Sequence, residues 1–456
     1  MARDVTDAEP VNGRRDLVAW LEAGCKPPER FHVGSEHEKI PFYLADLSPV
    51  PYAGERGIGA LLEGMAARLG WERIEDDGLL IGLYDDHGGG AISLEPGGQF
   101  ELSGAQHADI HALERELAAH LEATHAAAAP LGIGFAALGM SPKWRFDETP
   151  RMPKSRYRIM TDYMPKVGTR GLDMMYRTAT AQANLDYASE ADMVAKLRVG
   201  LALQPVMTAL FANSPFTDGA PNGLLSARSE IWRHTDADRT GMLAFAFESG
   251  MGFERYVDYA LDVPMYFVKR GDVYHDVAGA SFRDLMAGRL DKLPGERATI
   301  SDWANHLSTI FPEVRLKRYL EMRGADVGPA ERIVAQSALM VGIYYDTVAL
   351  DAAGELIRGW SAQARQSLRD QAPRVGFGAE IGGRTAREVA RDMLALARGG
   401  LARRARRDAG GRDETRYLDP LDAIVDSGVE PARAWLQRYA DVWGRSVDPV
   451  FAEARI

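Results

Sequence analysis

A single cysteine, Cys25, occurs among the 456 residues. That excludes an intramolecular disulfide and any zinc centre built from several thiolates. Cys25 stands between a glycine and Lys-Pro-Pro, which predicts an exposed bystander in a loop. No run of about 18 uninterrupted apolar residues occurs, so no segment reads as a membrane span and no membrane partner is expected. Positive charge is in short supply: 54 Lys and Arg against 65 Asp and Glu give a net charge of -11. A chain of that sign does not attract nucleic acid or an anionic membrane over long range. A phosphate loop of the form G-x-x-x-x-G-K followed by Ser or Thr is missing, so a nucleotide would have to be held by another fold. The opening MARDVTDAEPVNGRRD has no apolar stretch behind its basic residues, which makes the cytoplasm the expected location. No internal repeat is evident.

What is present is the composition of a globular protein, 46% apolar and 26% charged. The N-terminal half mixes short strand-like runs with helices, and the chain after about residue 326 reads as helical. A single domain over 1–456 is expected, with a catalytic sheet and helices over about 30–325 and a helical part over about 326–456. In HALERELAAHLEATHAAAA, Leu113, Leu117 and Leu121 mark one apolar helix face, which predicts His111, His120 and His125 on the wet side. Ser189 begins a long buried helix as its N-cap, with Pro205 as an expected kink. The stretch AREVARDMLALARGGLARRARRDAGG reads as a solvated helix with a basic face, in preference to an RNA-binding arm.

Three acidic stretches interrupt the apolar pattern. In GSEHEKIPFY, Glu36 and Glu38 face one side of a strand, about 7 Å apart at the backbone. Two charges at that spacing repel by about 2 kcal/mol at an effective dielectric near 20, a cost that a cation between them reverses. A solvent face is the competing reading. The stretch ISLEPGGQFELSG carries Glu95, a Pro-Gly-Gly turn, then Gln99 and Glu101 on one side of the next strand. Oxygen-rich strands of this kind suit Mg²⁺, which shares its shell with phosphates and waters. Asp85 and Asp86 read as turn residues. In RLKRYLEMRGAD, Glu321 and Arg323 share a face if the segment is extended, an acid for a metal beside a guanidinium for a phosphoryl group. The alternative is a surface pair on a helix. Gln182 and Asn184 in TAQANLDY, and Arg228 in LLSARSEIW beside Trp232, are candidates for substrate recognition, Arg228 for a carboxylate. Lys154, Arg156 and Arg158 either meet phosphates or line the surface.

Taken together, these stretches resemble glutamate-cysteine ligases of the type shared by plants and many proteobacteria. GSEHEKIPF, SLEPGGQFELSGA, MPKSRYRIMTDYMPKVG, GLDMMYRTATAQANLDYASEADM, LALQPVMTALFANSPFTDG, DRTGML, YVDYALDVPMYF, HLSTIFPEVRLKRYLEMRGAD and SVDPVF carry the resemblance over nearly the whole chain. It implies an α+β fold of the glutamine synthetase-like carboxylate-amine ligases, in which a curved, largely antiparallel sheet forms an open funnel surrounded by helices. It also implies ATP- and Mg²⁺-dependent ligation of the L-glutamate side-chain carboxylate to the L-cysteine amine through a gamma-glutamyl phosphate.

By motif, the resemblance assigns Glu36, Glu38, Glu95, Glu101 and Glu321 to the metal, with Gln182 in a neighbouring polar position. Arg228 is assigned to the glutamate carboxylate, with Gln99 and Asn184 also at the substrate, and Arg323 to the transferring phosphate. Plant members carry regulatory cysteines where this chain has Ala179, Val277 and Val334, so control through those disulfides is expected to be absent. Feedback inhibition by glutathione, and a monomer or homodimer, complete what is expected. The alternatives are a same-fold ligase with another amine acceptor and a non-catalytic regulator that binds a nucleotide or amino acid.

Overall fold

The computed structural model describes residues 7–456. The first six residues of the opening read for a targeting signal lie outside them. Nine strands form the main sheet: β1 (Val33–Tyr43), β2 (Glu72–Asp76), β3 (Leu79–Tyr84), β4 (Ala91–Leu94), β5 (Phe100–Ser103), β6 (Ile133–Ala136), β7 (Thr180–Leu185), β8 (Val314–Leu316) and β9 (Leu320–Asp326). Their order is β8-β9-β7-β1-β5-β4-β3-β2, with β6 beside the far end of β1. Every pairing within it is antiparallel. The expected α+β class with a largely antiparallel sheet is what the chain adopts. After β9 the chain is mainly helical, beginning with helices Ala330–Tyr344, Thr347–Ile357 and Ala362–Val375.

Side chains alternate along β1, so Glu36 and Glu38 point to one face while His37 and Lys39 point to the other. The second face is packed with helices. Glu190–Leu210 lies there, its Ser189 cap accepting from the Asp192 amide, and Pro205 falls inside it. Helix Ile110–Ala128 also covers this face, and it corrects two expectations. His111 and His120 are only 3% and 6% exposed, because the helix is covered on more sides than its leucine stripe. His111 Nδ1 meets the Tyr417 hydroxyl at 2.9 Å, and His120 packs against His37 and Phe100 of the sheet. His125 is exposed as expected. Cys25 is half-buried instead of exposed, since its backbone bridges to Tyr187.

Lys39 is fully buried behind the acidic face. Its Nζ donates to His37 Nδ1 at 3.1 Å, and burial brings its pKa down to about 7. Burial also drives His37 and His120 well below the usual imidazole range, so His37 is neutral and accepts. A lysine whose folded value lies below its unfolded one costs stability in full below about pH 7, and the cost fades as pH rises towards 10.5. Lys39→Met is therefore expected to be more stable than the parent at neutral pH. The advantage should shrink by up to about 1.4 kcal/mol per pH unit as the pH is raised. Urea unfolding at about pH 7 and about pH 9 measures it, and an advantage independent of pH would contradict this account of Lys39.

Candidate active site

The register of the sheet assembles the acids. Glu36 of β1 lies opposite Gln182 of β7 and Ser103 of β5, while Glu38 lies opposite Glu101. Like charges directly across an antiparallel pair are unfavourable, and here they are enclosed as well. Burial, then Glu95, then Glu101 raise the Glu38 pKa well above the ordinary carboxylate range. Burial and Glu101 raise Glu95 in turn. Local hydrogen bonds fix the set in place: the Thr180 amide donates to Glu38 Oε2 at 3.0 Å, and the Ser93 hydroxyl to Glu101 Oε2 at 2.6 Å. Asn184 Nδ2 donates to Glu36 Oε1 at 2.8 Å.

Arg323 stands across from these acids because β9 is irregular. The pairing of β9 with β7 shifts between Met322 and Ala325, a bulge that places one extra residue on β9 and re-aims its side chains. Gly324 completes the bulge where no side chain fits, since a Cβ there would lie 1.8 Å from Gln204 Nε2. Arg323 Nη1 donates to Gln182 Oε1 at 2.8 Å. Burial and the neighbouring Arg315 lower its pKa to about 10, so it remains a cation at neutral pH.

Glu321 is 0% exposed and lies outside the cavity lining. Arg315, directly opposite on β8, and Lys317 both pair with it, and Arg323 Nη1 lies 3.4 Å away. Burial alone would raise its pKa, but Arg315, Lys317 and Arg323 outweigh it and hold the carboxyl far below the usual range. Expected at the metal, Glu321 instead occupies a nest of cations.

Arg228 is placed by a helix start. Ser226 caps helix Ala227–Trp232 by accepting from the Ser229 amide, and the buried Asp326 carboxylate accepts from the Ser226 and Ser214 hydroxyls at 2.9 and 2.6 Å. Arg228 Nη2 donates to the Arg323 carbonyl at 2.7 Å. Gln99 spends its amide on the Pro-Gly-Gly turn: Oε1 accepts from the Gly97 amide at 3.0 Å, and Nε2 donates to the Thr178 carbonyl at 2.8 Å. Asn184 lies behind Glu36 and does not line the cavity.

The cavity encloses about 920 Å³, counting space open to solvent. Glu36, Glu38, Glu95, Glu101, Arg228 and Arg323 share its wall, with Gln99 and Gln182. Apolar cover comes from Met160, Met174, Met175, Trp232, Phe267 and Phe311. Of the basic stretch, Arg156 lines the cavity, Lys154 is buried beneath Tyr157, and Arg158 is exposed. Of the six side chains expected to bind metal, Glu36, Glu38, Glu95, Glu101 and Gln182 line the cavity and Glu321 does not, and among the described residues no group of three or more acidic, histidine or cysteine side chains is drawn together as ligands of one ion. The physical reason is that Glu321 is neutralised by cations and the Gln182 oxygen is taken by Arg323. Glu38, Glu95 and Glu101 are nevertheless crowded enough that Glu38 and Glu95 are each raised by their acidic neighbours, a repulsion that a hard cation among their oxygens would relieve. Sequence reading missed Arg315, Lys317 and, apart from Trp232, the aromatic cover; a basic residue across the short β8–β9 turn from Glu321 was the signal available.

Residues 32–453 match the model of glutamate-cysteine ligase family 2. The chain is 52% identical over 449 residues to a chloroplastic glutamate–cysteine ligase of Nicotiana tabacum, covering 98% of this chain and 84% of that one. The corresponding enzyme of Arabidopsis thaliana is 51% identical over 449 residues, with the same coverage of 98% and 84%. Ligase B of Oryza sativa subsp. japonica is 50% identical over 445 residues, covering 98% and 87%. A crystal structure of a Francisella tularensis glutamate–cysteine ligase in complex with AMP shares the fold, with a TM-score of 0.53 and 13% identity over 98% of this chain and 90% of that one. The expected cytoplasmic location is corrected by these relatives, which are chloroplastic. An acid-rich opening without an apolar core is a weak guide to location.

Proposed function

The chain belongs to glutamate-cysteine ligase family 2 and makes gamma-glutamylcysteine, the first step of glutathione biosynthesis; from that premise we propose how its cavity carries out the ligation with ATP and Mg²⁺. The observation that supports the reading most is the meeting of Glu38, Glu95 and Glu101 with Arg228 and Arg323 in one cavity. A carboxylate is a poor electrophile, so ATP first phosphorylates the glutamate side chain, and the cysteine amine then displaces phosphate from the acyl phosphate. Glu38, Glu95 and Glu101, with Glu36 beside them, would hold Mg²⁺ on oxygen. When bound, the ion supplies positive charge between the triphosphate and the carboxylate.

Arg228 holds a glutamate carboxylate. Arg323, kept in place by Gln182 and by the bulge, holds charge on the phosphoryl oxygens as they transfer. Asn184 orients Glu36, and Gln99 keeps the turn that carries Glu95 in shape. The apolar cover of methionines and aromatics limits water at the acyl phosphate, which would otherwise hydrolyse. Glutathione carries the same gamma-glutamyl group and would compete for the glutamate position.

Phosphate release followed with product mass tests the reading: one gamma-glutamylcysteine per ATP, dependent on L-cysteine, is expected, and turnover with other amines but not cysteine would refute it. Glu38→Gln is expected to raise the Mg²⁺ concentration needed for half-maximal rate at least tenfold. The same change should stabilise the metal-free protein. A carboxylate with a raised pKa costs folding energy once the pH exceeds its ordinary value, and the cost is full above the raised one. Melting in EDTA near pH 8 reads that gain; a destabilised variant with an unchanged Mg²⁺ requirement would contradict both parts.

A further inference from the structure

Arg315 lines the main cavity together with Arg323, yet the ligation as described gives it no part at the substrates. It reaches the wall from β8, the edge strand of the sheet, and is only 5% exposed. Two of its three nitrogens are committed. Nε donates to Glu321. Nη1 donates to the Ser308 and Ile310 carbonyls at 2.6 and 3.2 Å, at the end of helix Ile300–Ser308 where the helix dipole is negative. The third, Nη2, makes no hydrogen bond among the described residues and is not enclosed. A guanidinium locked on two sides with one arm left over is a preorganised donor. The Arg315 and Arg323 guanidiniums stand 5.8 and 5.7 Å from the centre of one ring, Phe311. At this end of the cavity Arg315, Lys317 and Arg323 outnumber Glu321 and Glu36, the acids that attract them. The complement of that excess is an anion.

The order of the guanidiniums says which anion. Arg323 is repelled by Arg315 and by Arg228, but those two answer to different acids. Arg228 is attracted by Asp326, Glu38 and Glu313, and Arg315 by Glu321 and Glu36. Arg323 therefore stands between them. With glutamate at Arg228 and the transferring phosphoryl group at Arg323, an in-line displacement puts the leaving oxygen on the side away from glutamate. That is the side of Arg315. We propose that Arg315 binds the β-phosphate of ATP and holds the charge that develops there as the γ-phosphoryl group departs. The inference rests on the ligase reading of the cavity. In that step an oxygen of the glutamate side chain bonds to the γ-phosphorus, the bond from that phosphorus to the β–γ bridging oxygen breaks, and its electron pair stays on the β-phosphate of ADP. A guanidinium donor to a phosphate oxygen is a charge-assisted hydrogen bond, among the stronger kinds. Glu321, paired with both arginines, keeps one on each phosphate.

Arg315→Met and Arg315→Lys test this in the full chain, each titrated with ADP and with AMP in the presence of Mg²⁺ and assayed with glutamate varied. AMP lacks the β-phosphate, so only ADP reads the contact. Both variants are expected to bind ADP roughly ten- to a hundredfold more weakly than the parent and AMP within about twofold. Their kcat should fall roughly tenfold or more, with the KM for glutamate within about twofold. Lysine keeps a charge for Glu321 but has no second arm for the phosphate, so it carries the test if the methionine variant does not fold. A merely structural role would weaken ADP and AMP alike. Equal losses for the two nucleotides, or an unchanged ADP affinity, would overturn the proposal and leave the ligase reading intact. A wild-type protein that makes no gamma-glutamylcysteine would remove that reading and the proposal with it.

Discussion

Arg323→Ala is expected to lower kcat by about 10²- to 10³-fold, the loss that follows removal of one preorganised donor from a developing charge. The KM for glutamate should move far less, because Arg323 faces the transferring phosphoryl group while the substrate is held by other side chains. Arg323→Lys is expected to recover little. The guanidinium bonds to Gln182 at 2.8 Å from a bulge that fixes its direction, and a point charge on a flexible stem reproduces neither the fork nor the direction. The fold should survive the change, since Arg315 and Lys317 still neutralise Glu321. Steady-state kinetics of both variants beside a thermal melt separate the two effects. A kcat within about threefold of the parent would rule out the role given to Arg323.

Glu321→Gln is expected to be the most destabilising substitution near the site, by roughly 3–5 kcal/mol. The carboxylate is wholly buried among Arg315, Lys317 and Arg323, and removing its charge leaves those cations uncompensated. Its pKa is depressed in the folded protein, so the stabilisation is present above the ordinary carboxylate value and lost as the pH falls through the folded one. The gap between parent and variant should therefore be full at neutral pH and close on acidification. Melting with and without Mg²⁺ distinguishes this role from that of a metal ligand. The cation nest predicts the same loss in EDTA and in Mg²⁺; a variant that melts like the parent in EDTA but needs more Mg²⁺ would restore Glu321 to the metal.

The strand period was legible from local spacing: Glu36 with Glu38, and Gln99 with Glu101, each pair facing one way. The register was not. That Glu38 meets Glu101 and Glu36 meets Gln182 depends on β1 lying between β5 and β7, a long-range pairing that no local pattern encodes. The bulge that sets the direction of Arg323 is likewise fixed by packing, where Gly324 meets Gln204. His111 and His120 were misplaced because an apolar stripe records one covered side of a helix, and Ile110–Ala128 has others. Gln99 and Asn184 were found by their motifs, but their amides serve the turn and Glu36, a distinction only contacts reveal.

The central claim is that this cavity activates the side-chain carboxylate of glutamate as an acyl phosphate. Glutamate labelled with ¹⁸O in that carboxylate, turned over with ATP, Mg²⁺ and cysteine, tests it most directly. Transfer of one labelled oxygen to each phosphate released is the predicted result, since the bond that breaks in the second step joins the labelled oxygen to carbon. Phosphate released without label would contradict the account.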